Sequence, residues 1–268
     1  AAAGTPKDDT GLERKMESRH LTMISLGGVI GTGLFVSSGY TIHQAGPLGA
    51  ILAYAVGSLL VYCVMVSLGE LSVAMPYAGS FHMYAKRFIG PGTAFTIAIL
   101  YWLNWAVALA SEFTAAGLLM QRWFPHSPSW VWSAVFIVVV FAHGMALAKE
   151  RLIPARFAKT NFRGVPVWAV LFSMAGSLLA LLSSVLAAST CNLVLVAVSG
   201  LATLVVWFSV CVCHIRFRRE WARDGHSADE LDYRAPGFPV LPWLAIVMCI
   251  GALVLVVLDE TQRSTLIA

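Results

Sequence analysis

The sequence predicts an all-α integral membrane protein with about seven transmembrane helices. Of its 268 residues, 58% are hydrophobic and 12% are charged, and the mean hydropathy is +0.76. Ordinary soluble domains carry about 25% charged residues. The apolar residues form runs of the length that a helix needs to cross a bilayer, about 20 residues. Basic residues are concentrated between alternate runs, as in membrane proteins of fixed orientation. We therefore expect a chain that is solvated mainly by lipid.

The first apolar run, Leu21–Ile42, has no charged residue and contains glycines at its centre: Gly27, Gly28, Gly31 and Gly33. Glycine is a poor helix former, and unwound backbone persists at membrane depth only where protein or water satisfies its free polar groups. The pattern favours a discontinuous helix whose free N–H groups face an anionic substrate group. The alternative is that the glycines are close-packing surfaces between helices.

The second and third runs, Pro47–Met75 and Ala94–Met120, each contain one carboxylate. Glu112 is the one acidic residue deep in an apolar run, so we expect it to carry protons or to pair with a cationic substrate. The alternative is a protonated carboxyl that bonds a neighbouring helix or reaches the outer water. Glu70 lies nearer the inner interface, where a structural role and a gating role are both open. Trp105 lies well inside the third run and serves either packing or substrate contact.

Four further runs complete the predicted set: Trp130–Ala148, Val165–Ala187, Leu193–Cys213 and Val240–Leu258. The strongly apolar part of the fourth run is only about 13 residues, too short for a hydrocarbon core of about 30 Å. His143 and Gly144 interrupt the apolar run, and a basic segment follows. We interpret this run as two originally separate pieces that have been joined.

The basic residues predict the orientation of the chain. Sixteen of the 18 Lys and Arg residues fall on one side of the predicted membrane, and the other side holds Arg122 and Arg263. Because positive loops stay in the cytoplasm, the N-terminal tail 1–20 and the loop 149–164 are predicted inside, and the tail 259–268 outside. Basic residues scattered among short loops also exclude nucleic-acid binding as an explanation of the net charge of +4.

For the histidines, arginines and cysteines near the predicted helix ends, the sequence predicts structural roles. His143 and His214 are expected to be wet, and Arg216, Arg218 and Arg219 to anchor the topology, with lipid headgroups as a second possibility. Cys211 and Cys213 are two residues apart on a helix, so they point to nearly opposite faces and are expected to be small apolar filler. No metal site and no disulfide framework is predicted.

Four stretches of the sequence resemble the amino acid permeases of the amino acid-polyamine-organocation superfamily. They are ESRHLTMISLGGVIGTGLFVSSGYTIHQAGP (17–47), SLGELSVAMPYAGSFHMYAKRFIGP (67–91), YWLNWAVALASEFTAAG (101–117) and HIRFRREWARDGHSADELDYRAPGFP (214–239). Within that family the chain is most similar to the permeases for S-methylmethionine, lysine and related amino acids.

The resemblance implies a partial LeuT-like inverted-repeat fold with a discontinuous first helix. Family members typically have twelve spans, with the substrate held between the broken first and sixth spans. Here residues 21–148 resemble family spans one to four, the fourth being fused to the tail of span eight, and residues 165–258 resemble spans nine to eleven. Family spans five to seven and span twelve have no counterpart, so the partner broken helix is missing.

The resemblance also implies which residues bind the substrate. The backbone N–H groups that receive its carboxylate map to Ile30, Gly31, Thr32 and Gly33. Trp105 is a further candidate contact. Glu112 is the candidate for proton coupling or charge pairing.

The predicted function is proton-coupled uptake of an amino acid across the inner, cytoplasmic membrane by alternating access. It requires no cofactor beyond the proton gradient. Because neither repeat is complete, we expect transport by this form to be impaired. The alternative is a non-transporting membrane protein, such as an assembly partner of another membrane chain that supplies the missing helices, a regulator or a decayed permease. The sequence contains no signature of an enzyme.

Overall fold

The computed structural model describes residues 33–77, 79–149 and 196–258, together with 19, 22 and 23. Within 33–258, side chains are described at positions 38–140 except 78, and at 196–258 except 257. The helices in these ranges are α1 (Gly33–Ala74), α2 (Ser80–Phe88), α3 (Pro91–Met120), α4 (Ser129–Lys149), α5 (Val196–Arg223) and α6 (Val240–Leu258). A short 3₁₀ turn at Ala228–Glu230 precedes α6. No strand occurs in these ranges, so the all-α prediction is confirmed there.

Three of the described helices are long and apolar enough to cross a membrane: Ser38–Ala74, Pro91–Met120 and Val196–Arg223. Two shorter apolar helices, Ser129–Val140 and Val240–Val256, accompany them. The predicted span Val165–Ala187 and most of the glycine-rich part of the first span lie outside the described residues.

Helix α1 contains a break at Gly46 that separates the first and second predicted spans. Gly46 has φ 70° and ψ 173°, a conformation that is essentially restricted to glycine, and Pro47 follows it. Proline fits the first turn of a helix because its missing N–H has no partner there. The predicted start of the second span at Pro47 therefore coincides with a change of helix direction.

The predicted end of one helix differs from the structure. The helix predicted to end at Cys213 continues to Arg223, because the basic segment that follows Cys213 has buried positions at His214, Phe217 and Arg218. The amphipathic helix α2 lies between the second and third predicted runs and buries Tyr84 and Phe88.

The fourth predicted span forms one continuous helix, α4, whose backbone passes through His143 and Gly144 without a break. The shortage of apolar residues there therefore does not end the helix. Whether the run was assembled from two family spans stays a prediction.

The chain divides into two compact units, residues 1–38 with 109–191 and residues 39–108 with 192–268. The second unit has a buried core of side chains from α1, α2, the first part of α3, α5 and α6. Cys63, Cys211 and Cys249 are completely buried in that core and free. The prediction that Cys211 and Cys213 are apolar filler is confirmed.

In the first unit, the last part of α3 packs closely against the start of α4. A Cβ atom added to Gly117 would lie 2.6 Å from the carbonyl oxygen of Ser129 and 2.5 Å from Oγ of Ser133. Ser133 Oγ donates a hydrogen bond of 2.9 Å to the carbonyl oxygen of Phe113. A small residue at 117 thus permits the approach of the two backbones, as in other membrane helix pairs.

We expect Gly117→Ala to destabilise the chain by about 1–3 kcal/mol, because the backbone of Ser129 would have to move to admit a methyl group. Gly57→Ala is the matched control, since no neighbour lies within 4 Å of the added Cβ atom in α1. Denaturant titration in micelles would measure both variants. Equal stability of the two variants would contradict close packing at Gly117.

Candidate functional site

The predicted carboxylate site lies largely outside the described residues. Ile30, Gly31 and Thr32 are not described, and Gly33 is described only as a backbone position in the first turn of α1. The broken first span and its free N–H groups therefore remain a prediction.

The other two predicted site residues both lie on α3. Trp105 is 57% exposed, and its ring meets that of Tyr101 edge-on at a centroid distance of 6.2 Å. Other large apolar side chains on the membrane helices are similarly exposed, Trp130 at 47% among them, so the choice between packing and substrate contact at Trp105 stays a prediction. Glu112 is partly buried and has an interaction partner. The two residues belong to different compact units.

A polar cluster that the sequence analysis missed lies within the two predicted membrane helices α3 and α5. It consists of Asn104, Ser199 and Thr203, which we call the Asn104 cluster. Ser199 Oγ and Thr203 Oγ1 both donate to Asn104 Oδ1, at 2.6 Å and 3.0 Å. Thr203 Oγ1 also lies 2.9 Å from the carbonyl oxygen of Ser199. All three side chains are half-buried.

The geometry of the Asn104 cluster leaves one polar group available. Both hydroxyl donors use Oδ1, so the amide nitrogen of Asn104 takes no part in the cluster. Hydrogen bonds between membrane helices often serve only to hold them together. Half-buried polar groups within spans can also line a substrate pathway. Asn104 and Trp105 are consecutive on α3, so their side chains point about 100° apart, and the geometry leaves both roles open.

A second missed cluster surrounds the carboxylate of Glu70. It contains Glu70 from α1, His214 and Arg218 from α5, and the backbone N–H of Ala235; we call it the Glu70 cluster. Glu70 Oε2 accepts hydrogen bonds from Nη2 of Arg218 at 2.9 Å and from the N–H of Ala235 at 2.6 Å. Arg218 Nε and His214 Nε2 lie 2.5 Å and 3.1 Å from Oε1. Arg218 therefore forms an ion pair with both oxygens of the carboxylate.

Burial makes the Glu70 cluster energetically important. Glu70 and His214 are completely inaccessible, and Arg218 is 7% exposed. The expectation that His214 is wet is therefore wrong, and Arg218 is a buried ion-pair partner in addition to any topological role. His214 and Arg218 are four residues apart, which places them on one face of α5. Pairing with the distant Glu70 offsets the cost of burying these two side chains, and the sequence of α5 alone does not show that pairing.

A cleft of about 430 Å³ opens beside the Glu70 cluster, between the end of α5 and the segment that leads to α6. Arg218, His226 and Arg234 line it together with the rings of Trp221 and Phe238. Among the described residues no acidic side chain lines the cleft, and no group of three or more His, Cys, Asp or Glu residues could hold a metal ion.

These helices and sites define an integral membrane protein with polar clusters inside its spans. The family model of amino acid permeases matches residues 20–146 and 144–265. These two segments cover most of the chain and meet within α4. The chain belongs to the amino acid permease family.

One similarity extends over most of the chain, to a protein of Bacillus subtilis named "Putative histidine permease". It is 30% identical over 428 aligned positions, which take in 95% of this chain and 90% of the relative. Because 428 positions exceed the 268 residues of this chain, the alignment leaves an internal stretch of the relative without a counterpart. The chain is thus an internally shortened member of the family.

Two further relatives have higher identity over about half of the chain. Amino-acid permease RocC of Bacillus subtilis is 61% identical over 130 residues, or 48% of this chain and 28% of the relative. Lysine-specific permease LysP of Escherichia coli is 53% identical over 131 residues, or 49% of this chain and 27% of the relative. The chain thus matches just over a quarter of the length of these two permeases. No solved structure matches the chain significantly.

We expect Glu70→Gln to destabilise the protein by about 3–5 kcal/mol, because it leaves the buried guanidinium of Arg218 without a compensating charge. The double variant Glu70→Met with Arg218→Met removes both charges and should be clearly more stable than Glu70→Gln alone. Denaturant titration in micelles would compare them, with Arg219→Gln as an exposed control on α5. A double variant no more stable than Glu70→Gln would show that the ion pair is not the dominant interaction.

Proposed function

We propose that this chain is an amino acid permease specified for proton-coupled uptake by alternating access, placed in the inner membrane with its N-terminus in the cytoplasm. The observation that carries the proposal is the family match on both sides of the internal junction, which takes in almost the whole chain. The positive-inside count of the sequence supports the orientation.

The substrate carboxylate is proposed to bind the backbone N–H groups of Ile30, Gly31, Thr32 and Gly33. Free N–H groups and the positive end of a helix dipole favour an anion at the start of a half-helix. The glycine-rich sequence supports this site by lowering the cost of leaving helical geometry there.

The side chain of the substrate is proposed to be cationic. Relatives of this chain carry names that specify lysine and histidine, and S-methylmethionine, which the motifs suggest, is a sulfonium cation. Glu112 supplies a carboxylate at membrane depth on α3, which suits a cationic partner or a transferable proton. The exposed indole ring of Trp105 is a surface on which a cation can rest.

The Asn104 cluster supports a polar pathway in the second compact unit. The amide nitrogen of Asn104 can donate to a carbonyl, a carboxylate or a water molecule, since the two hydroxyl groups already occupy Oδ1. We assign Asn104 to positioning of the substrate.

Binding and transport are proposed to be separable in this shortened form. Alternating access requires one repeat to move against the other around the site, and the internal gap removes part of each repeat. The second unit nevertheless closes its core through long-range contacts such as Ser199–Asn104 and Arg218–Glu70. A folded chain that binds substrate without moving it efficiently is the expected result.

Purified chain in lipid nanodiscs should bind lysine or S-methylmethionine in a calorimetric titration and bind leucine more weakly. Glu112→Gln should weaken binding of the cationic amino acids about ten- to a hundredfold, the effect of one lost charge-assisted contact. Leucine binding should change little.

Two further variants serve as a control for the charge change and as a test of Asn104. Glu220→Gln makes the same chemical change near the end of α5 and should leave all affinities unchanged. Asn104→Leu should weaken every ligand alike if the amide positions the common part of the substrate. Unchanged lysine affinity in Glu112→Gln would remove Glu112 from the site.

Uptake of labelled lysine into vesicles that contain only this chain should stay near the background of empty vesicles, even with an imposed proton gradient. Efficient accumulation would contradict the impairment that we infer from the internal gap. Co-expression with another membrane chain that restores uptake would favour the assembly-partner alternative. Absence of both binding and uptake would favour a regulator or a decayed permease.

A further inference from the structure

The cleft beside the Glu70 cluster combines cationic and aromatic groups in a way that transport does not require. Arg218 and Arg234 supply N–H donors, and Trp221 and Phe238 supply flat apolar walls. His226 also lines the cleft, but its Nδ1 is paired with Glu230 at 2.9 Å. A ligand that fits these walls is an anion attached to an apolar or weakly polar body. We call it the basic cleft.

Arg218 is the fixed element of the basic cleft. Its contacts to Glu70 use Nε and Nη2, and its Cζ atom lies 5.0 Å from the ring centre of Phe238. These contacts hold the guanidinium plane and do not use Nη1, while the residue still lines the cleft. A pre-oriented guanidinium nitrogen binds a phosphate oxygen with little further loss of side-chain entropy.

Arg234 is the adaptable element. Its Nη1 donates to Asp229 at 2.8 Å, but the two side chains are 62% and 80% exposed. Exposed pairs of this kind contribute at most about 1 kcal/mol, so Arg234 can exchange Asp229 for a ligand. The other nearby acid, Glu230, is engaged by the backbone N–H of Ser227, which with His226 holds the pKa of Glu230 below its ordinary value.

The basic cleft lies between the ends of two apolar helices, where the sequence predicts the inner membrane interface. It lies where α5 ends at Arg223 and α6 begins at Val240, both on the predicted inner side. From the cleft, Val240, Trp243 and Val247 form an exposed apolar row along one face of α6. An acyl chain whose headgroup occupies the cleft can follow that row.

We propose that the basic cleft binds an anionic phosphate group, and that its source is a phospholipid of the inner leaflet. Anionic lipids enrich this leaflet, and basic pockets at the inner ends of membrane helices suit their headgroups. The site is independent of the proposed transport activity, because it uses neither Glu112 nor the glycine-rich first span. Soluble inorganic phosphate is the other source of the same chemistry.

Native mass spectrometry of the delipidated full chain tests the proposal with three probes: phosphatidylglycerol, phosphatidylcholine and inorganic phosphate. We expect one phosphatidylglycerol molecule to bind more tightly than phosphatidylcholine. Arg234→Gln should weaken that binding about tenfold through loss of a charge-assisted hydrogen bond. Inorganic phosphate should compete only weakly, since it lacks the acyl chains that contact α6.

Arg223→Gln is the matched control, because Arg223 is exposed near the same helix end and does not line the cleft. It should leave the affinity for phosphatidylglycerol within about twofold, the small effect expected of a screened surface charge. Equal losses in Arg223→Gln and Arg234→Gln would overturn the site in favour of diffuse attraction. The site would also be overturned if Arg234→Gln left the affinity for all three probes unchanged. Arg234-dependent binding of inorganic phosphate alone would overturn the lipid source.

Discussion

The buried carboxylate of Glu70 is the interaction on which the inner part of the second unit depends. An ionised carboxylate can leave water only if several donors replace its hydration shell. Here the donors come from two further parts of the chain, α5 and the segment before α6. Satisfying Glu70 therefore fixes the relative positions of α1, α5 and Ala235, and it requires α5 to remain helical beyond the last apolar residue. Without the carboxylate, the cost of burying the charged guanidinium of Arg218 would not be compensated.

Other features of the structure follow from that arrangement. Arg218, once oriented by Glu70, forms one wall of the basic cleft and lies against the ring of Phe238. Gly237, with φ 71°, turns the chain beside that ring, and an added Cβ atom would come within 2.9 Å of Leu241. The Glu70 cluster thus positions the segment that leads into α6, through the N–H of Ala235 and the ring of Phe238. The Asn104 cluster connects α3 and α5 further along the same unit, through hydrogen bonds rather than charge.

The sequence predicts the parts of this fold that depend on local composition. Apolar runs identify the helices, and Gly46 with Pro47 marks the break between the first two spans, because glycine and proline act on the backbone where they stand. Contacts between helices that are distant in the sequence leave no such local signal. From the sequence, His214 is typical of a solvated residue at a helix end, and its partner Glu70 lies on α1. Asn104 is an isolated polar residue in the sequence, and its partners lie on α5. Motifs shared with the family located α3 and its carboxylate but gave no information about these contacts.

The same pairings explain how an internally shortened permease can remain folded. Glu70 and Asn104 lie in the first segment that matches the family, whereas His214, Arg218, Ser199 and Thr203 lie in the second. The sequence that is missing relative to the longer relative falls between these segments, so its loss shortens the connection without removing either partner. Loop closure depends only weakly on the length of the connection. The second unit therefore keeps its buried ion pair and its polar cluster although the chain is internally shortened. The residues that form these buried contacts are therefore retained on both sides of the internal junction.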